Sequence, residues 1–292
     1  MIRAACLGLI LLASGAASAT AAEIVIHDDK SSPESLTVAP DGSVIAGSAS
    51  SPFVYRVRKG ALAAEPFIDA SAEGPGTFFL GQLADGGTNT LWTCVLTPVP
   101  GGAPPARKSA LRGFDLTTGK DKLRWALPGD SSVCNDFVVG PDKALYITDT
   151  GNSKIYRLAP GATSAALFLE NRLLNGVDGI TFLNGVMYVN NVVFNKLYRI
   201  PVDASGKPGA PVDIWMDAPV MGPDGMRAMG GKLLPAENGA GKIDTLAITG
   251  DTAHVTVLKS GLNQPTGVEP AGDLVWLTER GTGKVRSIPA PK

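Results

Sequence analysis

The chain has 292 residues, 35 of them Gly, 22 Pro and only 2 His. Its charge is near balance, 26 Lys and Arg against 27 Asp and Glu, and no basic stripe or aromatic-interleaved patch marks a nucleic-acid partner. No stretch sustains helical periodicity, so the turn-rich composition points to many short strands.

Residues 1–22 stand apart. Arg3 gives a positive start, 7–12 is a short apolar run, and 17–19 and 19–21 are small-residue cleavage sites. This is the pattern of a secretory signal peptide, with an apolar run too short to span a bilayer. The mature chain, 23–292, is therefore expected to be exported, periplasmic or secreted, with no membrane anchor. It is expected to act as a monomer on a small-molecule partner.

An orphan strand, 23–27, comes first. The clearest unit follows later, at 135–158: strands at 137–139, 144–148 and 154–158, separated by the turns 140–143 and 151–153. This unit recurs. The stretches 148–158, 189–200, 236–246 and 278–288 each show an acid or amide, a turn, a Lys and a short β run. Aligned on the first turn, Ser35, Phe79, Asp136, Asp178, Asp224 and Thr266 fall together, at intervals of 44, 57, 42, 46 and 42 residues. Six such units predict an all-β, six-bladed β-propeller filling residues 23–292. The last unit has strands at 266–270, 273–278 and 284–288 but lacks an outer one. The orphan N-terminal strand is expected to supply it, closing the ring and removing two open sheet edges.

Unit 2 is irregular. Its strands at 79–83 and 90–96 are followed by 97–107, a Pro- and Gly-dense insertion read as either a lid over the channel mouth or a decoration. Export permits a disulfide. Cys94 ends the second strand of unit 2 and Cys134 precedes the first strand of unit 3, so the two are either a disulfide or a pair of buried thiols.

First strands line a propeller's channel. Their starts bring Glu34, Asn135, Asp136, Asn175, Asp178 and Asp224 toward one mouth. Crowded carboxylates raise one another's pKa unless a cation compensates. Oxygen ligands without His or Cys suit Ca²⁺ first, with Mg²⁺, Mn²⁺ or Zn²⁺ as alternatives. Asp136 and Asp178 read as turn-bonding residues. Asp149, Glu237 and Glu279 end second strands and read as blade-turn hydrogen-bonding groups. Met226 and Met229 read as core.

The motifs Pro33-Glu34-Ser35, Cys134-Asn135-Asp136, Asn175-Gly176-Val177-Asp178 and Pro223-Asp224-Gly225-Met226 resemble, in order and spacing, those of the regucalcin (senescence marker protein) and gluconolactonase family. The resemblance implies a six-bladed propeller with one axial divalent cation held by Glu34, Asn175 and Asp224. It implies catalytic roles for Asn135, beside the metal, and for Asp224, as the proton-transfer group. The family commonly has an Arg two residues before the Asn that matches Asn135. Here that position is Val133, which points away from an aldonolactone and toward a less polar ligand.

The expected activity is metal-dependent hydrolysis of a lactone or related ester. The alternatives are a non-catalytic binding scaffold and a lyase or condensing enzyme on the same architecture. Neither His lies near a motif Ser, which argues against a Ser-His-Asp mechanism.

Overall fold

The computed structural model describes residues 21–26, 28, 31–99 and 107–291. The apolar run and cleavage sites read as a signal peptide, and most of the 97–107 insertion, lie outside the described residues.

Six antiparallel blades follow one another along the chain. Blade 1 comprises Pro33–Val38, Val44–Ser48, Phe53–Val57 and Glu65–Asp69. Blade 2 comprises Phe78–Asp85, Thr90–Pro98, Arg107–Asp115 and Asp121–Ala126. Blade 3 comprises Cys134–Val139, Leu145–Asp149, Lys154–Leu158 and Ala166–Glu170. Blade 4 comprises Val177–Leu183, Val186–Asn191, Lys196–Ile200 and Val212–Asp213. Blade 5 comprises Pro223–Met229, Lys232–Glu237, Lys242–Thr249 and Thr252–Ser260, with Trp215–Met216 added in parallel at its outer edge.

Blade 6 contributes only Pro265–Ala271, Leu274–Glu279 and Lys284–Pro289 from the C-terminal end. Its fourth strand is Glu23–Val25, antiparallel to the last strand with Glu23 opposite Arg286. The expected closure is observed, over a strand shorter than 23–27. Glu23 also pairs with Lys284 and Arg286, each at 2.7 Å.

Blades pack face to face, so the core is divided among blade interfaces rather than gathered at one centre. Ile45, Val54 and Ile68 of blade 1 pack with Phe79, Leu91 and Phe114 of blade 2. Ile24, Leu36, Val44 and Val285 fill the junction of blades 6 and 1. The alternation of β-branched and aromatic residues along each strand supplies both faces.

Cys94 and Cys134 form a disulfide, with Cα atoms 5.3 Å apart, that ties blade 2 to blade 3. The insertion leaves a hairpin of blade 2 whose strands pair as far as Pro98 opposite Arg107. Because the disulfide closes a 40-residue separation, replacing both cysteines by Ala is expected to cost roughly 2–4 kcal/mol. Denaturant unfolding of the purified protein reads this as a lower midpoint, with a slope that steepens as the unfolded chain is freed. An unchanged midpoint would show that the link adds nothing to stability.

Candidate active site at the channel mouth

Every inner strand carries a bulge near its start. In blade 1 the register jumps from Pro33 opposite Ser48 to Leu36 opposite Ala46. Two residues there oppose one. The same jump occurs in the other five blades. A bulge bends the strand and re-aims its side chains. The first bulge residues are Glu34, Leu80, Asn135, Asp178, Asp224 and Thr266. The second are Ser35, Gly81, Asp136, Gly179, Gly225 and Gly267. The sequence alignment set Asp136 against Asp178, following the shared Asp. The sheet register sets Asn135 there instead.

The backbones of four ring residues are fastened by the preceding blade. Thr148 Oγ1 accepts from Asp136 N (3.0 Å) and donates to Asp178 O (2.9 Å). Asn190 accepts from Gly179 N (2.8 Å) and donates to Asp224 O (2.5 Å). Thr278 accepts from Gly267 N (2.8 Å) and donates to Glu34 O (3.1 Å). In blade 2 the equivalent position is Cys94, whose disulfide holds Cys134 beside Asn135. The approach is close: a Cβ at Gly179 would stand 2.6 Å from Asp224 O. Glycine is required there because the next blade's backbone fills the space.

The polar first-bulge side chains converge. Asn135 Nδ2 donates to Asp178 Oδ2 (2.8 Å) and to Thr150 Oγ1 (3.0 Å). Glu34 and Asp178 are buried, and Asp224 is half-buried. Burial raises the Glu34 carboxyl well above its usual range, and the charges of Asp178 and Asp136 add to it. Burial, then Asp224 and Asp136, do the same to Asp178. Burial and Glu34 do so to Asp224.

One cation in the channel is already committed. Arg227, on the inner strand of blade 5, donates to Asp136 (2.8 and 3.1 Å) and to Glu269 of blade 6 (3.0 Å). Its side chain is only 9% exposed. Burial nevertheless pushes Glu269 up to about 7, against the pull of Arg227. Asp136 is thus a structural ion-pair partner, in a bridge spanning blades 3, 5 and 6.

Asn175 is not a bulge residue but precedes the blade 4 bulge by three positions. It is exposed, at the end of a 3₁₀ turn (Arg172–Leu174), where its backbone N–H donates to Arg172 O (3.3 Å) and its carbonyl accepts from Asn191 Nδ2 (2.8 Å). The structure gives the blade 4 ring position to Asp178, three residues on, because the bulge falls between Val177 and Ile180. Asp178 is therefore more than a turn-bonding residue.

The residues ending second strands behave as expected. Asp149 accepts from Val133 N, Glu237 from Met221 N and Glu279 from Asn263 N, each pinning the loop before its own inner strand. Met226 is buried in the blade 4–5 core and Met229 packs at the edge of the blade 5–6 core. His254 lies on the outermost antiparallel strand of blade 5, against Asp217 (2.5 Å).

Among the described residues, no three His, Cys, Asp or Glu side chains are already arranged to hold a metal ion. The donor chemistry nevertheless fits a hard cation. Glu34 Oε2 and Asp178 Oδ1 are buried without a hydrogen-bond partner. Such orphaned acceptors are costly, and oxygen donors suit Ca²⁺ or Mg²⁺.

The fold is that of the six-bladed propellers. The chain aligns with a gluconolactonase from Xanthomonas campestris (16% identity, 93% of this chain and 90% of that one, TM-score 0.68). It also aligns with the calcium-binding protein regucalcin from Agrobacterium tumefaciens (17% identity, 91% and 90%, TM-score 0.66). A third match is virginiamycin B lyase from Staphylococcus aureus (16% identity, 93% and 99%, TM-score 0.65). No family model and no curated protein matches the sequence.

Carboxyls raised on folding contribute stability that is complete below their unfolded value of about 4 and is lost as pH rises through the folded values. In chelator, the thermal midpoint is therefore expected to fall between pH 5 and pH 8, and added Ca²⁺ to restore it at pH 8. A midpoint that stays level over that range, with or without Ca²⁺, would contradict the burial of ionisable carboxyls. Separately, Arg227→Met strands Asp136 and Glu269 in the interior and is expected to cost roughly 3–5 kcal/mol, measured by denaturant unfolding.

Proposed function

We propose that this chain is a divalent-cation-dependent hydrolase of a lactone or related ester, acting on a small substrate as an exported monomer. The observation that carries this reading is the convergence of Glu34, Asp178 and Asp224 at one mouth, with orphaned buried oxygens on two of them. The fold shared with a gluconolactonase and a regucalcin supports it.

Glu34, Asp178 and Asp224 would hold the cation. Asp178 takes the place that the motif resemblance gave to Asn175. Three carboxylates without His or Cys favour Ca²⁺ or Mg²⁺ over Mn²⁺ or Zn²⁺. A bound cation supplies Lewis-acid polarisation of an ester carbonyl.

The protein's own groups do the rest. Asp224 is the least buried of the three acids, so it can meet an incoming water and take its proton. A carboxylate that reaches the incoming water is placed to act as a general base. Both amide hydrogens of Asn135 are spent on Asp178 and Thr150. Asn135 therefore orients Asp178 and offers only its Oδ1, as an acceptor, to water or a substrate hydroxyl. The expected catalytic pair, Asp224 and Asn135, thus divides into a base and an orienting residue.

The test is a lactone and ester panel, run with chelator and with Ca²⁺, Mg²⁺, Mn²⁺ or Zn²⁺, on the wild type, Asp224→Ala, Asp178→Asn and Asn175→Ala. Loss of hydrolysis and of cation-induced thermal stabilisation in the first two variants, with both kept in Asn175→Ala, is the expected outcome. Stabilisation by Ca²⁺ without turnover on any member would favour the binding scaffold. Activity lost in Asn175→Ala but kept in Asp178→Asn would return the cation to the position implied by the motifs.

A further inference from the structure

A second ring lies above the first. In each second strand, the residue after the one opposite the start of the bulge is Ala49, Leu96, Thr150, Val192, Asn238 or Arg280. Five of these are held at one height by one repeated bond, from their own N–H to the carbonyl that precedes the inner strand. Ala49 donates to Ser32, Thr150 to Val133, Val192 to Gly176, Asn238 to Gly222 and Arg280 to Gln264. Thr150 shows where such a side chain leads: its hydroxyl meets Asn135 Nδ2 and donates to Val177 O (2.6 Å). The upper ring therefore overhangs the acids.

Arg280 is its one charged member. It is exposed, and its side chain has neither an ion pair nor a hydrogen bond among the described residues. Blade 6 stands between Asp224 of blade 5 and Glu34 of blade 1, and the Arg280 charge favours the ionised form of both. A mouth built from three acids thus carries one unengaged guanidinium. Its planar fork of donors matches a carboxylate bidentately, which a bare charge-balancing ammonium would not.

We propose that Arg280 binds an anionic group of the substrate, so that the esters or lactones taken by this site carry a carboxylate away from the reacting carbonyl. The inference rests on the hydrolase reading for the word substrate, but the anion site stands on its own geometry. With a divalent cation on Glu34, Asp178 and Asp224, the local charge including Arg280 sums to zero. Without the cation, the Arg280 charge is set against Glu34 and Asp224 alone. Anion binding should therefore depend on prior cation binding.

Monomethyl glutarate (anionic) and dimethyl glutarate (neutral) are compared as esters, and glutarate is titrated calorimetrically as a non-reacting probe. The protein is Ca²⁺-loaded wild type, Arg280→Gln and Arg280→Lys. Wild type is expected to bind glutarate with Ca²⁺ and not in chelator. Arg280→Gln should weaken glutarate about tenfold or more, the scale of a charge-assisted pair. It should lower the kcat/KM preference for the anionic over the neutral ester by a similar factor, mainly through KM. Arg280→Lys should recover part of both.

Equal losses for the two esters, or glutarate binding that ignores the Arg280→Gln change, would overturn the proposal. So would a collapse of Ca²⁺ affinity with the anionic preference intact, which would make Arg280 a charge balancer. If no ester is hydrolysed but glutarate binding follows Arg280 and Ca²⁺, the hydrolase reading fails and the anion site stands. If esters are hydrolysed without regard to charge, the reverse holds.

Discussion

The pairing of Glu23–Val25 with the last strand is the constraint on which the rest depends. It completes blade 6 from the far end of the chain and covers the edge that the final hairpin would leave open. It also sets blade 6 against blade 1, so that Thr278 can hold the carbonyl of Glu34 across 244 residues of sequence. Without that return, Glu34 and Asp224 would stand on opposite ends of an open array. The ring converts distance in sequence into a shared volume at the channel mouth.

Within that volume, desolvation and repulsion act in the same direction. Three carboxyls are withdrawn from water near one another, and the buried guanidinium of Arg227 is unavailable to them because Asp136 and Glu269 occupy it. The scaffold does not relax this tension by letting the acids move apart. The clasps from Thr148, Asn190 and Thr278 fall on the carbonyls of Asp178, Asp224 and Glu34, and the disulfide falls beside Asn135. The ring positions of Leu80 and Thr266, which carry no acid or amide, have no such clasp from the preceding blade: Gly47 and Ala236 stand at the equivalent second-strand positions. Rigidity is therefore concentrated where charge is concentrated, as a preorganised site requires.

Much of this was legible in the sequence, and the parts that were not share a cause. The 42- to 57-residue period and the orphan N-terminal strand reported the ring, and the placement of Cys94 and Cys134 at facing ends of neighbouring units reported their proximity. Glu34, Asn135, Asp178 and Asp224 each open a bulge, whereas Asn175 lies three residues before the blade 4 bulge, at the end of a 3₁₀ turn. A bulge adds a residue that motif spacing does not show, so counting along the chain loses the sheet register. The fixed positions of Asp149, Glu237 and Glu279 opposite the bulge would have signalled the right frame. The bridge from Arg227 to Asp136, 91 residues away, follows from blade order and channel depth together, which no local pattern carries. Arg280 was passed over because it lies in a turn, although it follows Glu279 as Thr150 follows Asp149.

The central claim is that the buried carboxyls of the mouth hold protons more readily than ordinary carboxyls and give them up to a cation. Calorimetric titration with Ca²⁺ at pH 6, in two buffers of different ionisation enthalpy, measures it directly. The account predicts one cation bound per chain, with protons released on binding and fewer released as pH rises. Binding with no proton release, or no binding at all, would contradict it.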